Sequence, residues 1–326
     1  MRDILVTLIV FGLIPWILVR PHVGALVYAW LGLMNPHRLT FGFAYSLPFG
    51  MLVALATLIS MLFSQEKKQI PWSGTMVVWL LFVLWMNVTT IFALVPEDAV
   101  VEWDRAMKIQ AMIFVSMMLL HGRERITAFV WVIVVSLGFY GIKGGLFTIR
   151  TGGEHRVMGP WDTFITDNNT LALALIMILP LMYYLSGSTD NKRIRQGLYV
   201  AIALTVMAVL SSHSRGAFLA GGTILVFLIA KSRHKVGFAF AALLALPVML
   251  LSMPDAWFDR MGTIREYQSD ASAMGRINAW YFAFNLAKAN PITGGGFDVF
   301  TKELFHSYAP DPLDHHDAHS IYFEIL

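Results

Sequence analysis

Guanidiniums, glycines and imidazoles gather in the stretch that follows Met253, in a chain that is otherwise strongly apolar. Arg276 stands in Gly-Arg-Ile-Asn-Ala-Trp, a glycine run occupies Gly294-Gly295-Gly296, and the tail reads His315-His316-Asp317-Ala318-His319-Ser320. A guanidinium binds an anion through two parallel hydrogen bonds. An imidazole titrates close enough to neutrality to take or give a proton there. These residue types suit group transfer from an anionic substrate. His315, His316, Asp317 and His319 also suit zinc or manganese by ligand type. Their spacing is not the helical His-x-x-x-His pair with an intervening glutamate. Asp311-Pro312 just upstream also argues against one continuous helix across His315 and His319. No metal site is therefore expected, and a base or hydrogen-bonding role for His319 is preferred.

A second set of cations lies further upstream. Arg215, in Ser211-Ser212-His213-Ser214-Arg215-Gly216, falls at the start of an apolar helix. An arginine within a span costs about 2.5–3.5 kcal/mol on insertion scales, and a helix N-terminus is already positive. An anionic ligand met by the side chain and by free backbone N–H groups resolves both problems. Snorkelling to the headgroups is the plainer alternative. Arg265 precedes Arg276 by eleven residues and is a weaker candidate. Lys143, in Tyr140-Gly141-Ile142-Lys143-Gly144-Gly145, lies near the end of its apolar run, and Arg150 and Arg156 follow in the next break with Asp167-Asn168-Asn169. Together these outline a cationic cavity, and the anion met most naturally beside a bilayer is a lipid-linked phosphate or pyrophosphate.

The elements that must position these residues are membrane helices. The chain is 57% apolar and 14% charged, with mean hydropathy +0.62. One soluble core of this length cannot hide that much apolar surface. Apolar runs recur at 4–19, 23–34, 45–63, 73–94, 104–120, 126–148, 168–186, 196–211, 215–231 and 236–253, so the expected fold is an all-α polytopic membrane protein of about ten spans. The first run lacks a small-residue cleavage site and reads as a retained helix. With no cysteine there is no disulfide or thiolate chemistry, and a formal charge of +3 gives no reason to expect nucleic acid. Lys67-Lys68, Arg123/Arg125, Lys192-Arg193/Arg195 and Lys231/Arg233/Lys235 fall on one face when the spans alternate, which the positive-inside rule makes cytoplasmic. Pro96-Glu97-Asp98 to Glu102, the breaks at 150–167 and 211–215, and the loop from 254 to 318 fall on the other face.

Four regions follow: N-terminal transmembrane helices at 1–125, core transmembrane helices carrying donor-site residues at 126–253, a periplasmic loop at 254–318, and the start of a further span at 319–326. Within the loop, residues 277–289 place Ile277, Trp280, Tyr281, Phe284 and Ala287-Lys288 at helical spacing. This predicts an amphipathic interfacial helix whose aromatics are anchors. Ser320 to Leu326 is too short to cross about 30 Å of hydrocarbon at about 1.5 Å per residue. A longer natural chain with at least one more helix is expected, with a short interfacial helix as the alternative.

The chain resembles the O-antigen ligase superfamily of ligases, polymerases and protein O-oligosaccharyltransferases. The resemblance rests on Ser214-Arg215-Gly216-Ala217-Phe218-Leu219, Gly275-Arg276 followed by Trp280, Asn290-Pro291-Ile292-Thr293-Gly294-Gly295-Gly296-Phe297, and His319-Ser320-Ile321-Tyr322. Gly141-Ile142-Lys143-Gly144-Gly145, Arg156-Val157-Met158-Gly159-Pro160 and Asp167-Asn168-Asn169 are more similar still to the O-glycosylation ligases of exosortase-associated systems. The family has about twelve spans with a large periplasmic loop before the penultimate pair. It usually carries His-Asn where His319-Ser320 stands here.

The resemblance implies a glycosyltransferase of the bacterial inner membrane. It would move a glycan from undecaprenyl pyrophosphate to a lipid, protein or glycan hydroxyl at the periplasmic face, with inversion and with no cofactor, metal or nucleotide. His319, Arg215 and Arg276 would be catalytic, with Arg265, Lys143, Arg156 and His316 binding substrate. A polymerase on the same carrier is the nearest alternative. A flippase for the lipid-linked glycan is the alternative of another class, and it would place charges along both halves of a path. A purely structural role in the envelope leaves Arg215 and the histidines without a task.

Overall fold

A computed structural model describes residues 1–231, 253–262 and 271–326, together with 235, 243, 247 and 251. The described residues form helices joined by turns, with no strand among them. The helices are α1 (Arg2–Val19), α2 (Pro21–Met34), α3 (Phe49–Phe63), α4 (Gly74–Ile91), α5 (Pro96–Leu119), α6 (Arg123–Thr151), α7 (Asn168–Ser188), α8 (Lys192–Leu210), α9 (Arg215–Lys231), α10 (Asp255–Gly262), α11 (Ala271–Ala289) and α12 (Lys302–Tyr308).

Local chemistry explains where they begin. Ser73 Oγ accepts from Met76 N at 3.2 Å, Asp167 Oδ1 from Asn169 N at 2.7 Å, and Asn191 Oδ1 from Arg193 N at 2.9 Å, each side chain capping the helix that follows. Pro96 opens α5, with Glu97 and Asp98 in a first turn whose free N–H groups favour negative charge.

Five described helices, α1, α4, α6, α7 and α8, are long and apolar enough to cross a membrane, and α2 and α3 are shorter apolar helices. The expected runs correspond to helices with shifted ends. The run at 45–63 is a 3-10 turn (Phe43–Ser46) followed by the fifteen-residue α3. The acidic break before 104–120 is corrected: Glu97, Asp98 and Glu102 lie inside α5, and Glu102, Asp104, Arg105 and Lys108 in its middle keep it out of the apolar set. Arg150, expected in a break, is in the last turn of α6, where a cation complements the helix end. The run expected at 236–253 lies outside the described residues apart from 243, 247, 251 and 253.

The chain divides into two compact units. The first, Met1–Lys67 with Leu119–Gly262, contains α1 to α3 and α6 to α10. Its largest core packs Val134, Leu137, Leu171, Leu175, Ile178 and Met182 with Leu198 and Ala208. Gly145 makes this close: a Cβ there would stand 2.2 Å from the Leu204 carbonyl oxygen, so small residues let α6 and α8 touch. At one end of this unit Glu66 meets His22 Nδ1 at 2.6 Å and Arg125 at 3.3 Å. At the other end of α2 and α6, Arg38 pairs with Asp162 at 2.6 Å.

The second unit, Lys68–Met118 with Thr263–Leu326, contains α4, α5, α11 and α12. Trp79 Nε1 donates to Gln110 at 2.9 Å and Trp103 Nε1 to Asn87 at 3.0 Å, tying α4 to α5. Its apolar cluster joins Ala279, Phe282, Ala283 and Leu286 of α11 to Phe305 and Ala318.

Candidate functional site

In the first unit two of the expected substrate-binding cations share one cavity. Lys143 of α6 and Arg156 of the following loop line a space of about 280 Å³, with Leu39, Tyr140, Phe147 and Met158 among its apolar walls. Gly144 and Gly145 of the same turn pack against Ala208 and the Leu204 backbone. One motif thus supplies a packed face and, between its glycines and Ile142, a cation. A partly apolar cavity holding an ammonium and a guanidinium is suited to a phosphorylated lipid.

The segment before Arg215 is a buried joint. Ser211, Ser212, His213 and Ser214 are all buried. Val157 N donates to Ser211 O at 3.0 Å, Ser211 Oγ to His155 O at 3.1 Å, and His213 Nε2 to Gly153 O at 3.0 Å. Asn168 Nδ2 donates to Ser212 O at 2.8 Å. Three motifs distant in the chain, around Arg156, Asn168 and Arg215, therefore meet by hydrogen bonds. Ser214 Oγ accepts from Ala217 N at 3.3 Å and caps α9, whose first residue is the half-buried Arg215.

In the second unit α11 is a spine for the strap that carries the histidines. Arg276 is half-buried, and its Nε is buried with no hydrogen-bond partner among the described residues. One residue earlier, a Cβ on Gly275 would fall 2.6–2.8 Å from three ring atoms of His316, so the imidazole lies directly on the glycine. His316 Nδ1 is 2.8 Å from Asp314 Oδ1. Asn278 holds the strap by donating to Asp311 O at 2.8 Å and Asp314 O at 2.9 Å and accepting from Asp311 N at 2.9 Å. Trp280 Nε1 donates to Ala318 O at 2.8 Å, and the indole stacks on Phe323 at 5.1 Å. His319 follows, exposed and at φ 47, a left-handed conformation uncommon outside glycine and frequent at functional sites.

Arg215 belongs to the first unit with Lys143 and Arg156, while Arg276, His316 and His319 belong to the second. Arg265 lies outside the described residues.

Other expectations are altered. The packed face of α11 is Gly275, Asn278, Ala279, Phe282, Ala283 and Leu286, while Tyr281 and Phe284 of the expected apolar face are exposed. Small residues and one asparagine allow the strap to approach, so burial here follows shape more than hydrophobicity. Trp280 does more than anchor, because it holds the residue before His319. The glycine run is a joint: Leu94 N donates to Gly295 O at 2.9 Å, and Gly294 and Gly296 have φ of 60 and 83. His315 donates to the Phe300 carbonyl and packs edge-on to Phe305, a structural role. The stretch after His319 makes a single turn, with Phe323 N and Glu324 N on Ser320 O. Asn278 and Asp314 carried no expectation; an asparagine within the apolar spacing of 277–289 was the available signal.

Residues 1–189, more than half of the chain, match the family described as Family of unknown function (DUF5935), and residues 200–326 match the family described as O-Antigen ligase. The chain is a DUF5935 member carrying an O-antigen ligase domain. Arg215, Arg276, His316 and His319 fall in the O-antigen ligase domain, and every residue lining the Lys143 cavity falls in the DUF5935 region. The match of residues 200–326 to the O-antigen ligase family agrees with the motifs that suggested the resemblance. No curated protein and no solved structure matches the chain.

Proposed function

We propose that this DUF5935 and O-antigen ligase protein transfers a glycan from undecaprenyl pyrophosphate to an acceptor hydroxyl at the periplasmic face of the bacterial inner membrane. The observation that carries the reading is Arg276: a cationic donor whose Nε is buried without a hydrogen-bond partner among the described residues is suited to an anionic ligand. His319 takes the proton of the acceptor hydroxyl as its oxygen attacks the anomeric carbon. The bond from that carbon to the phosphate oxygen breaks with inversion, and the pyrophosphate departs with its electron pair. Arg276 and Arg215 stabilise the charge gathering on it. Lys143 and Arg156 bind the phosphorylated lipid before transfer, which agrees with their common cavity. Arg265 is assigned to substrate binding on sequence grounds. The chemistry needs neither nucleotide nor metal, because the pyrophosphate is already an activated leaving group.

The test is transfer in nanodiscs from an undecaprenyl-pyrophosphate glycan to a panel of acceptors, with and without chelator. Transfer that survives chelation and vanishes in His319→Ala supports the reading. With a matched donor and folded protein, no transfer to any acceptor overturns it and moves weight to lipid-linked glycan transport. The acceptor used separates a ligase from a polymerase that extends glycan on the same carrier.

A further inference from the structure

His315 and His316 are neighbours with different surroundings. His315 is bonded to the Phe300 carbonyl and packed against Phe305. His316 is held at one edge only: its Nδ1 is buried beside Asp314, yet 41% of the side-chain surface stays exposed. The 2.8 Å contact is an ion pair outside hydrogen-bond geometry, and with Nδ1 facing Asp314 the open edge is the one that carries Nε2.

Three features fix the ring in that pose. Gly275 provides the floor, because any Cβ there would overlap the ring. Asn278 binds the carbonyl of Asp314 itself and both backbone groups of Asp311. The Asp314 carboxylate then draws the Nδ1 edge of the imidazole toward itself at 2.8 Å, as an ion pair rather than an aligned hydrogen bond. As an isolated strut the pair is worth little, since half-exposed ion pairs contribute about 0–1 kcal/mol. Next to the floor glycine stands Arg276, its buried Nε without a hydrogen-bond partner among the described residues.

We infer that Asp314 is a positioning residue that turns Nε2 of His316 toward the phosphate oxygens of the lipid-linked donor, beside Arg276. This rests on the donor assignment proposed above. In its protonated form the ring donates one hydrogen bond to a phosphate oxygen, and Asp314 balances the added charge. No bond to the glycan is made or broken by His316, so the inference concerns donor affinity.

The test is a double-mutant cycle on the full chain in phosphatidylcholine nanodiscs, with glycan-free undecaprenyl pyrophosphate as the probe. Its Kd is measured for the wild type, Asp314→Asn, His316→Ala and the double variant, and donor KM and kcat are measured alongside. Asp314→Asn is expected to weaken binding about tenfold, the scale of one hydrogen bond to a charged group, raising KM with kcat nearly unchanged. The double variant is expected to bind no worse than His316→Ala, since Asp314 acts only through that ring. His316→Gln, which keeps a donor, is expected to recover part of the loss. Additive losses, or an Asp314→Asn variant that binds like wild type, would overturn the inference and leave the donor assignment intact. A folded wild type that does not bind the carrier would overturn both.

Discussion

Trp280 Nε1 donates to the carbonyl oxygen of Ala318 at 2.8 Å, so the residue immediately before His319 is tied to the helix that carries Arg276. Stacking of the same indole on Phe323 holds the chain on the far side of His319. His319 keeps its left-handed backbone between these two anchors. Trp280→Phe keeps a stacking ring and removes the donor. A buried hydrogen bond contributes about 1 kcal/mol, so stability is expected to fall modestly. Transfer is expected to fall about tenfold or more, because small displacements of a reacting group are costly. Parallel melting and transfer assays check this; equal transfer in the two proteins would sink the positioning role of Trp280.

Arg276 is expected to separate activity from stability. Because its Nε is a buried donor without a partner among the described residues, Arg276→Met removes an unsatisfied group while keeping an apolar stem. Stability without ligand is expected to be unchanged or higher by about 1 kcal/mol, while glycan transfer is lost. Thermal unfolding of the ligand-free protein, set beside transfer rates, gives the answer. A variant that unfolds several degrees lower would mark Arg276 as structural.

The Arg38–Asp162 pair joins two segments of the cavity wall, since Leu39 and Pro160 both line the space shared by Lys143 and Arg156. Arg38 also lies over the Tyr45 ring at 4.6 Å. Asp162 is largely exposed, so breaking the pair is expected to cost stability only about 0–1 kcal/mol. Arg38→Ala is nevertheless expected to raise donor KM about threefold to tenfold by loosening the wall that carries Arg156. The chain has no cysteine, so Arg38→Cys with Asp162→Cys can be cross-linked without competing thiols. A cross-linked protein with reduced donor dependence, reversed by reductant, would show that this wall moves during binding; unchanged kinetics in Arg38→Ala would show that it does not matter.

His37 carries a pH dependence. Burial, and then the neighbouring Arg38 charge, holds its imidazole below the ordinary value of 6.5, and its buried Nδ1 has no hydrogen-bond partner among the described residues. The unfolded chain therefore takes up a proton at higher pH than the folded one. Stability is fully present above about pH 6.5 and is lost as pH falls through the lowered folded value. His37→Phe, which preserves an aromatic edge against Phe49, is expected to flatten the acid side of a melting-temperature profile. If wild type and variant decline in parallel between pH 7 and 5, His37 is not the group responsible.

Much of the fold was legible because hydropathy and helix signals are local. The run at 215–231 coincides with α9, and the starts of α4 and α7 are set by Ser73 and Asp167 a few residues from the apolar stretch they cap. The start of α5 was not legible: Glu97 and Asp98 look like a break to a hydropathy window but stabilise a helix N-terminus. The face of α11 was misread for a related reason. Ile277 and Tyr281 have the right spacing, but Gly275, Asn278 and Ala279 have the right shape for a strap that returns more than thirty residues later.

The sequence by itself determined that the chain is helical and apolar enough for several membrane spans, and it identified the cations and imidazoles suited to an anionic lipid-linked substrate. Composition and periodicity act within a few turns, so they can be read without coordinates. Tertiary structure decided which of those groups share surroundings. It placed Lys143 with Arg156 in one cavity, assigned His315 to the backbone of Phe300, and set His316 on Gly275 beside Asp314. Those relations depend on angstrom-scale distances between segments far apart in the chain, where packing and hydrogen bonding, rather than residue type, determine what a side chain can reach.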